Sequence, residues 1–123
     1  MKIKRGTTRT VILVGSVALK FPTFKSWRLF ISGLQANMNE VMFGTMGHPL
    51  LAPVKWSLPG GLLVVMLRCK VWPTYSNEGA ENLAFWREQA DQFPELPLLE
   101  LVEDKVDSVG EYKGRILAVD YGS

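Results

Sequence analysis

Thr8-Arg9-Thr10-Val11-Ile12-Leu13-Val14-Gly15-Ser16-Val17-Ala18-Leu19-Lys20-Phe21 reads as two β-strands joined by a tight turn. Residues 8–14 and 17–21 are rich in β-branched and apolar side chains, and Gly15-Ser16 suits a two-residue hairpin turn with glycine first. Pro22 and Thr23 end the hairpin, and Ser26 is placed to cap a helix. In that helix Trp27, Phe30, Ile31, Leu34, Met38, Val41 and Met42 recur at helical spacing as one broad apolar stripe, with Gly44 as its stop. A narrower seam runs through Leu29, Gly33, Ala36, Glu40 and Phe43. Glu40 therefore has small or apolar neighbours, which aims it at another part of the protein rather than at solvent.

Further along, residues 54–58 and 62–71 read as strands around Pro59-Gly60-Gly61. The second is almost wholly apolar, as a central strand would be. Trp72-Pro73-Thr74 ends it. Asn77, Glu78 and Glu81 favour a helix start, and Leu83, Trp86, Ala90 and Phe93 give that helix an apolar face. Pro94 and Pro97 break it before a short helical turn at 98–103. Tyr112-Lys113-Gly114 is a turn, and 115–120 a final strand. The tryptophans and phenylalanines of both helices are expected in the core. The order predicts an α+β fold with a mainly antiparallel sheet, in a single domain of residues 1–123.

Composition narrows the function. A net charge of +2 does not point to nucleic acid, and the cluster Lys2, Lys4, Arg5 and Arg9 is expected to be a solvated N-terminal arm. Cys69 is the only cysteine, so no internal disulfide forms, which suits a reducing, cytoplasmic setting. It lies in an apolar run where a buried, inert thiol is expected. His48 is the only histidine and, before Pro49, reads as a turn residue, so zinc ligation of the usual kind is excluded. No apolar run is long enough to span a bilayer. Basic residues followed by 11–19 imitate a signal peptide, but Gly15-Ser16 divides the run and Lys20 ends it.

Val17-Ala18-Leu19-Lys20, then Glu40 twenty residues on, then His48-Pro49, then Ile116-Leu117-Ala118-Val119-Asp120-Tyr121-Gly122 resembles the nucleotide-handling half of a protein kinase. The first group is similar to the V-A-I-K strand, His48-Pro49 to the H-P-N after the helix, and Asp120-Tyr121-Gly122 to D-F-G. The resemblance covers roughly residues 8–72 and 105–122; it implies a small-lobe-like part at 1–73 and a shortened large-lobe remnant at 74–123. It implies that Lys20 binds phosphate, that Glu40 orients Lys20, and that Asp120, with Asp107 as a second carboxylate, holds Mg²⁺ beside ATP.

The departures are equally plain. No glycine-rich phosphate loop precedes the hairpin: Gly6 is the only glycine there, and about ten residues leave little room for another strand. No H-R-D occurs, and Glu103 with Lys105 only imitates the spacing of the catalytic aspartate and lysine, leaving Glu103 a weak candidate base. The plainer expectation for 101–107 is a charged, solvated loop. As it stands the chain carries no activation segment. A rival likeness, of residues 116–123 to the D-x-G-S/T first phosphate strand of actin-like ATPases and sugar kinases, places at the end of this chain a motif that starts a domain in those proteins.

The expectation is a catalytically degenerate kinase-like module that binds another protein. Very short kinase-like proteins resemble products of phage genomes, which implies an accessory or inhibitor acting on a host protein or defence complex. The outer surface of helix 83–93 or a free sheet edge would be the docking face. The alternatives are a minimal Mg²⁺-ATP phosphotransferase and a subunit completed by a partner or by self-association.

Overall fold

The computed structural model describes residues 1–122, so the last residue of the 116–123 stretch lies outside the described residues. Lys2–Arg5 (β1), Arg9–Val14 (β2), Val17–Pro22 (β3), Val54–Ser57 (β4) and Val64–Leu67 (β5) form an antiparallel sheet in the order β1-β2-β3-β5-β4. Gly15, at φ +54°, makes the β2–β3 turn, and the register then sets Val11 opposite Lys20 and Leu13 opposite Ala18. Alternation along β3 buries Ala18, Lys20 and Pro22 on one face. β1 corrects the expectation that there is little room for another strand before the hairpin and that Lys2, Lys4, Arg5 and Arg9 form an arm: the β1 side chains are solvated, but their backbone belongs to the sheet. The four β1 residues pair fully with β2, through a turn in which the Gly6 N–H donates to the Arg9 carbonyl at 2.8 Å. The 62–71 run forms a strand only at Val64–Leu67, which is an interior strand as expected, paired with β3 on one side and β4 on the other.

Trp27–Gly44 (α1) begins at Ser26, whose hydroxyl accepts from the Leu29 N–H. It lies across the face of the sheet that carries Lys20. The face that α1 buries is Gly33, Ala36, Asn37, Glu40 and Gly44. The broad stripe points the other way, leaving Trp27, Ile31, Met38 and Met42 exposed. This corrects, for Trp27, the expectation that the aromatic residues of both helices sit in the core, and Phe85 of the later helix is exposed as well, whereas Phe43 packs against the core and Trp86 is buried in it. For α1 the reason is clearance: a methyl group on Gly33 would collide with the Thr8 carbonyl and with Pro22, so only a small-residue seam fits this close to the hairpin.

Asn77–Ala90 (α2), capped by the Ser76 hydroxyl, buries Trp86 and Ala90 as the periodicity predicts. Leu98–Leu101 (α3) follows, and Val109–Tyr112 (β6) and Arg115–Ala118 (β7) make a two-stranded hairpin. Its turn has positive φ at both Lys113 and Gly114. Two bridges tie this hairpin to the rest, Leu51 with Ala118 and Lys70 with Glu111. One apolar core, with Leu51, Ala52, Met66, Trp86, Leu98, Val102, Leu117 and Tyr121, runs beneath both sheets. The Trp86 indole donates to the Leu50 carbonyl at 2.8 Å, and the Tyr121 hydroxyl to that of Ala52 at 2.6 Å, so the polar atoms of these two buried aromatic side chains are satisfied. The fold is α+β with a mainly antiparallel sheet.

Candidate functional site

Three elements converge on one buried carboxylate. Lys20 reaches it from the inward face of β3, Arg9 from the start of β2, and the chain at 121–122 closes over it after β7. The Lys20 ammonium donates to Glu40 Oε1 at 2.9 Å and to Oε2 at 3.1 Å, and to the Val119 carbonyl at 2.5 Å. Arg9 donates to Glu40 Oε1 at 2.7 Å and Oε2 at 3.2 Å, to Asp120 Oδ1 at 2.7 Å and to Asn37 Oδ1 at 3.1 Å. The backbone N–H groups of Tyr121 and Gly122 also donate to Glu40 Oε2, at 2.9 and 3.2 Å. Asn37 braces the cluster, donating its amide to the carbonyls of Lys20 and Gly61 at 3.0 and 2.8 Å.

The electrostatics follow from this crowding. Burial alone would raise the Glu40 pKa, but the Lys20 ammonium and the Arg9 guanidinium outweigh it and hold the carboxylate at about 2. Burial pushes Lys20 below the ordinary lysine value, because the attraction of Glu40 returns less than desolvation takes and the nearby Arg9 cation lowers it further. Arg9 is desolvated too, yet its two carboxylate partners, Glu40 first, leave it raised and firmly protonated. A carboxylate with two cations and two backbone donors is a satisfied structural hub.

The sequence therefore placed Lys20, Glu40 and Asp120 in one cluster and missed Arg9. Arg9 is buried, not part of a solvated arm. The missed signal was the alternation Arg9-Val11-Leu13, which puts Arg9 on the face that register assigns to Lys20. Glu103 pairs with Lys105 at 2.8 Å on an exposed loop, in keeping with the plainer expectation for that stretch. Asp107 lies in a 3-10 turn, Val106–Ser108, on the wall of the adjoining cleft. Among the described residues no three His, Cys, Asp or Glu side chains gather to hold a metal ion.

That cleft, of about 960 Å³, opens beside the cluster. Val11, Ala18, Met66 and Val119 give it apolar walls; Lys2, Lys4, Arg5, Arg68, Lys70 and Lys113 line it with positive charge, and Glu103, Asp107, Glu111 and Asp120 line it with negative. Desolvation first, and then the nearby Lys2, push Lys4 below the ordinary lysine value, while Asp107 opposes the shift. Cys69 lines the cleft as well, and burial pushes its thiol up to about 11, as an unreactive cysteine requires. Comparisons with protein-family models, with curated proteins and with solved structures find no match to this chain.

Proposed function

We propose that this chain is a kinase-like binding module that has given up phosphoryl transfer and acts by engaging another protein. One observation carries the reading: the Arg9 guanidinium bridges Glu40 and Asp120. In the family that the sequence resembles, those positions orient the phosphate-binding lysine and hold Mg²⁺. Here a protein cation occupies the space between them and supplies the charge that a metal ion would bring. Lys20 is committed as well, with its donors on Glu40 and the Val119 carbonyl and only 5% of the residue exposed. A buried cluster of this kind is retained for shape, and the partner is a host protein or defence complex on which the module acts as an accessory or inhibitor.

The test is transfer of labelled γ-phosphate from Mg²⁺-ATP to the chain itself or to casein. The expected result is none, alongside intact protein by circular dichroism. The size and charge of the adjoining cleft favour a second reading, a minimal phosphotransferase in which Arg9 swings away from Asp120 when Mg²⁺-ATP enters. Transfer that disappears in Lys20→Met and in Asp120→Ala would establish that second reading and overturn the first.

A further inference from the structure

The longest helix of this protein presents its apolar side to solvent. Trp27 is 76% exposed, Ile31 43%, Met38 46% and Met42 56%, and Phe24 just before the helix is 78% exposed. Phe24, Trp27 and Phe30 pack their rings on one another at 5.3 and 5.7 Å, fixing an aromatic knob at one end of the seam. Trp27, Ile31, Leu34, Met38 and Val41 advance in steps of four, three, four and three residues, the repeat by which one helix packs along another. The loop at 58–62 widens the surface on one side. Gly61 sits against the Leu34 backbone and Met38, and Leu58 and Leu62 are themselves exposed.

Charge decides what this seam receives. The first 77 residues carry ten lysines and arginines and one carboxylate, Glu40; the remaining 46 carry four lysines and arginines and eleven carboxylates. That one carboxylate is buried against Lys20 and Arg9. The charged side chains nearest the seam in sequence, Lys25, Arg28 and Lys55, are thus all cationic and all exposed. Pairing the seam with itself in a second copy would bring no carboxylate to these cations. A head-to-tail contact with α2 of a second copy would bring Glu78, Glu81 and Glu88, but Phe85 is the only large apolar side chain that α2 exposes. A flat lipid surface would use the apolar area but not the heptad spacing.

Resting on the reading of the chain as a protein-binding module, we infer that α1 is the docking surface. Its occupant is an amphipathic helix of another protein, apolar at heptad spacing and flanked by carboxylates. Trp27 and Ile31 anchor the apolar contact, Met38 and Met42 adapt to the partner's side chains, and Lys25 and Arg28 set its orientation. The docking face is therefore α1, not the α2 surface or a sheet edge.

Two fluorescein-labelled helical peptides as long as α1, with leucine at heptad positions and either glutamate or lysine flanks, supply the test by anisotropy. The expected result is saturable binding of the glutamate peptide, at least about tenfold tighter than the lysine peptide and weakened between about 0.05 and 0.5 M salt. Ile31→Glu with Met38→Glu should abolish it while leaving a cooperatively folded protein by circular dichroism, since both side chains are about half exposed. Lys25→Glu with Arg28→Glu should reverse the preference between the peptides. Equal affinity for the two peptides, or no saturable binding, would overturn the proposal. So would seam-dependent flotation with phosphatidylserine vesicles in place of peptide binding, or seam-dependent dimerisation in the ultracentrifuge. These outcomes are separate from the phosphate-transfer assay, which tests the underlying reading.

Discussion

Arg9 donates to Asp120 across 2.7 Å and 111 positions of sequence, and its other amino group holds Glu40. The two contacts differ in environment. Glu40 is wholly buried, whereas 43% of the Asp120 side chain faces solvent. Their contributions to stability should differ accordingly. Arg9→Leu leaves Glu40 with a single cation and should cost about 3 kcal/mol, the scale for breaking a buried pair. Asp120→Asn should cost about 1 kcal/mol or less, because water screens the exposed partner. Urea unfolding of the two variants measures both, and equal losses would contradict this division.

Glu40 should also set the acid limit of the fold. Its folded pKa of about 2 lies below its ordinary value of 4.5, so the stability it contributes is fully present above pH 4.5 and drains away as pH falls towards 2. The shift corresponds to something on the order of 3 kcal/mol. Carbon-13 titration of the glutamate side chains should find the Glu40 carboxyl still ionised well below its ordinary value of 4.5. A Glu40 midpoint near 4.5 would remove the cluster from the account of acid unfolding.

The legibility of this site in the sequence follows from how local its signals are. Glu40 was readable because Gly33, Ala36 and Glu40 repeat within one helix, and Lys20 because it ends an apolar strand. Arg9 was not, because its surroundings, Lys2, Lys4, Arg5 and Gly6, have the composition of a solvated arm, and its partners lie 31 and 111 residues away. The same limit explains β1 and β6. Each is four residues long and rests on pairing with a neighbouring strand rather than on its own pattern. The orientation of α1 was open to misreading for a different reason. Hydrophobicity favours burying the broad stripe, but the room between helix and hairpin admits only the small seam, and clearance is a property of the assembled fold.

Gly122 tests that clearance at the far end of the cluster. A methyl group there would press on the Ala36 carbonyl and on the Glu40 side chain. Neither moves freely: one belongs to α1, and the other is held by five donor groups from Arg9, Lys20, Tyr121 and Gly122. Gly122→Ala should therefore destabilise by about 1–3 kcal/mol. It should also shift the Glu40 titration upward, because displacing the carboxylate lengthens its contacts with both cations. Loss of stability without movement of that midpoint would show that the clash is relieved elsewhere.

Cys69 offers a view of the cleft wall in the native state. Burial raises its thiol pKa to about 11 from an ordinary value of 9.0, so almost none of it is thiolate at neutral pH. Nucleophilic reaction proceeds through the thiolate, and on that ground alone native Cys69 should react with a disulfide reagent at pH 8 roughly 100-fold more slowly than the unfolded chain. Its position adds a second barrier. The neighbouring Lys70 N–H donates to the Glu111 carbonyl at 2.8 Å, and the Glu111 N–H returns the bond at the same distance, pinning this segment to β6. The rate in water should thus follow opening of that bridge and rise steeply with sub-denaturing urea. Rapid labelling without urea, in protein whose melt is unchanged, would mean that residues 68–70 open independently of the core.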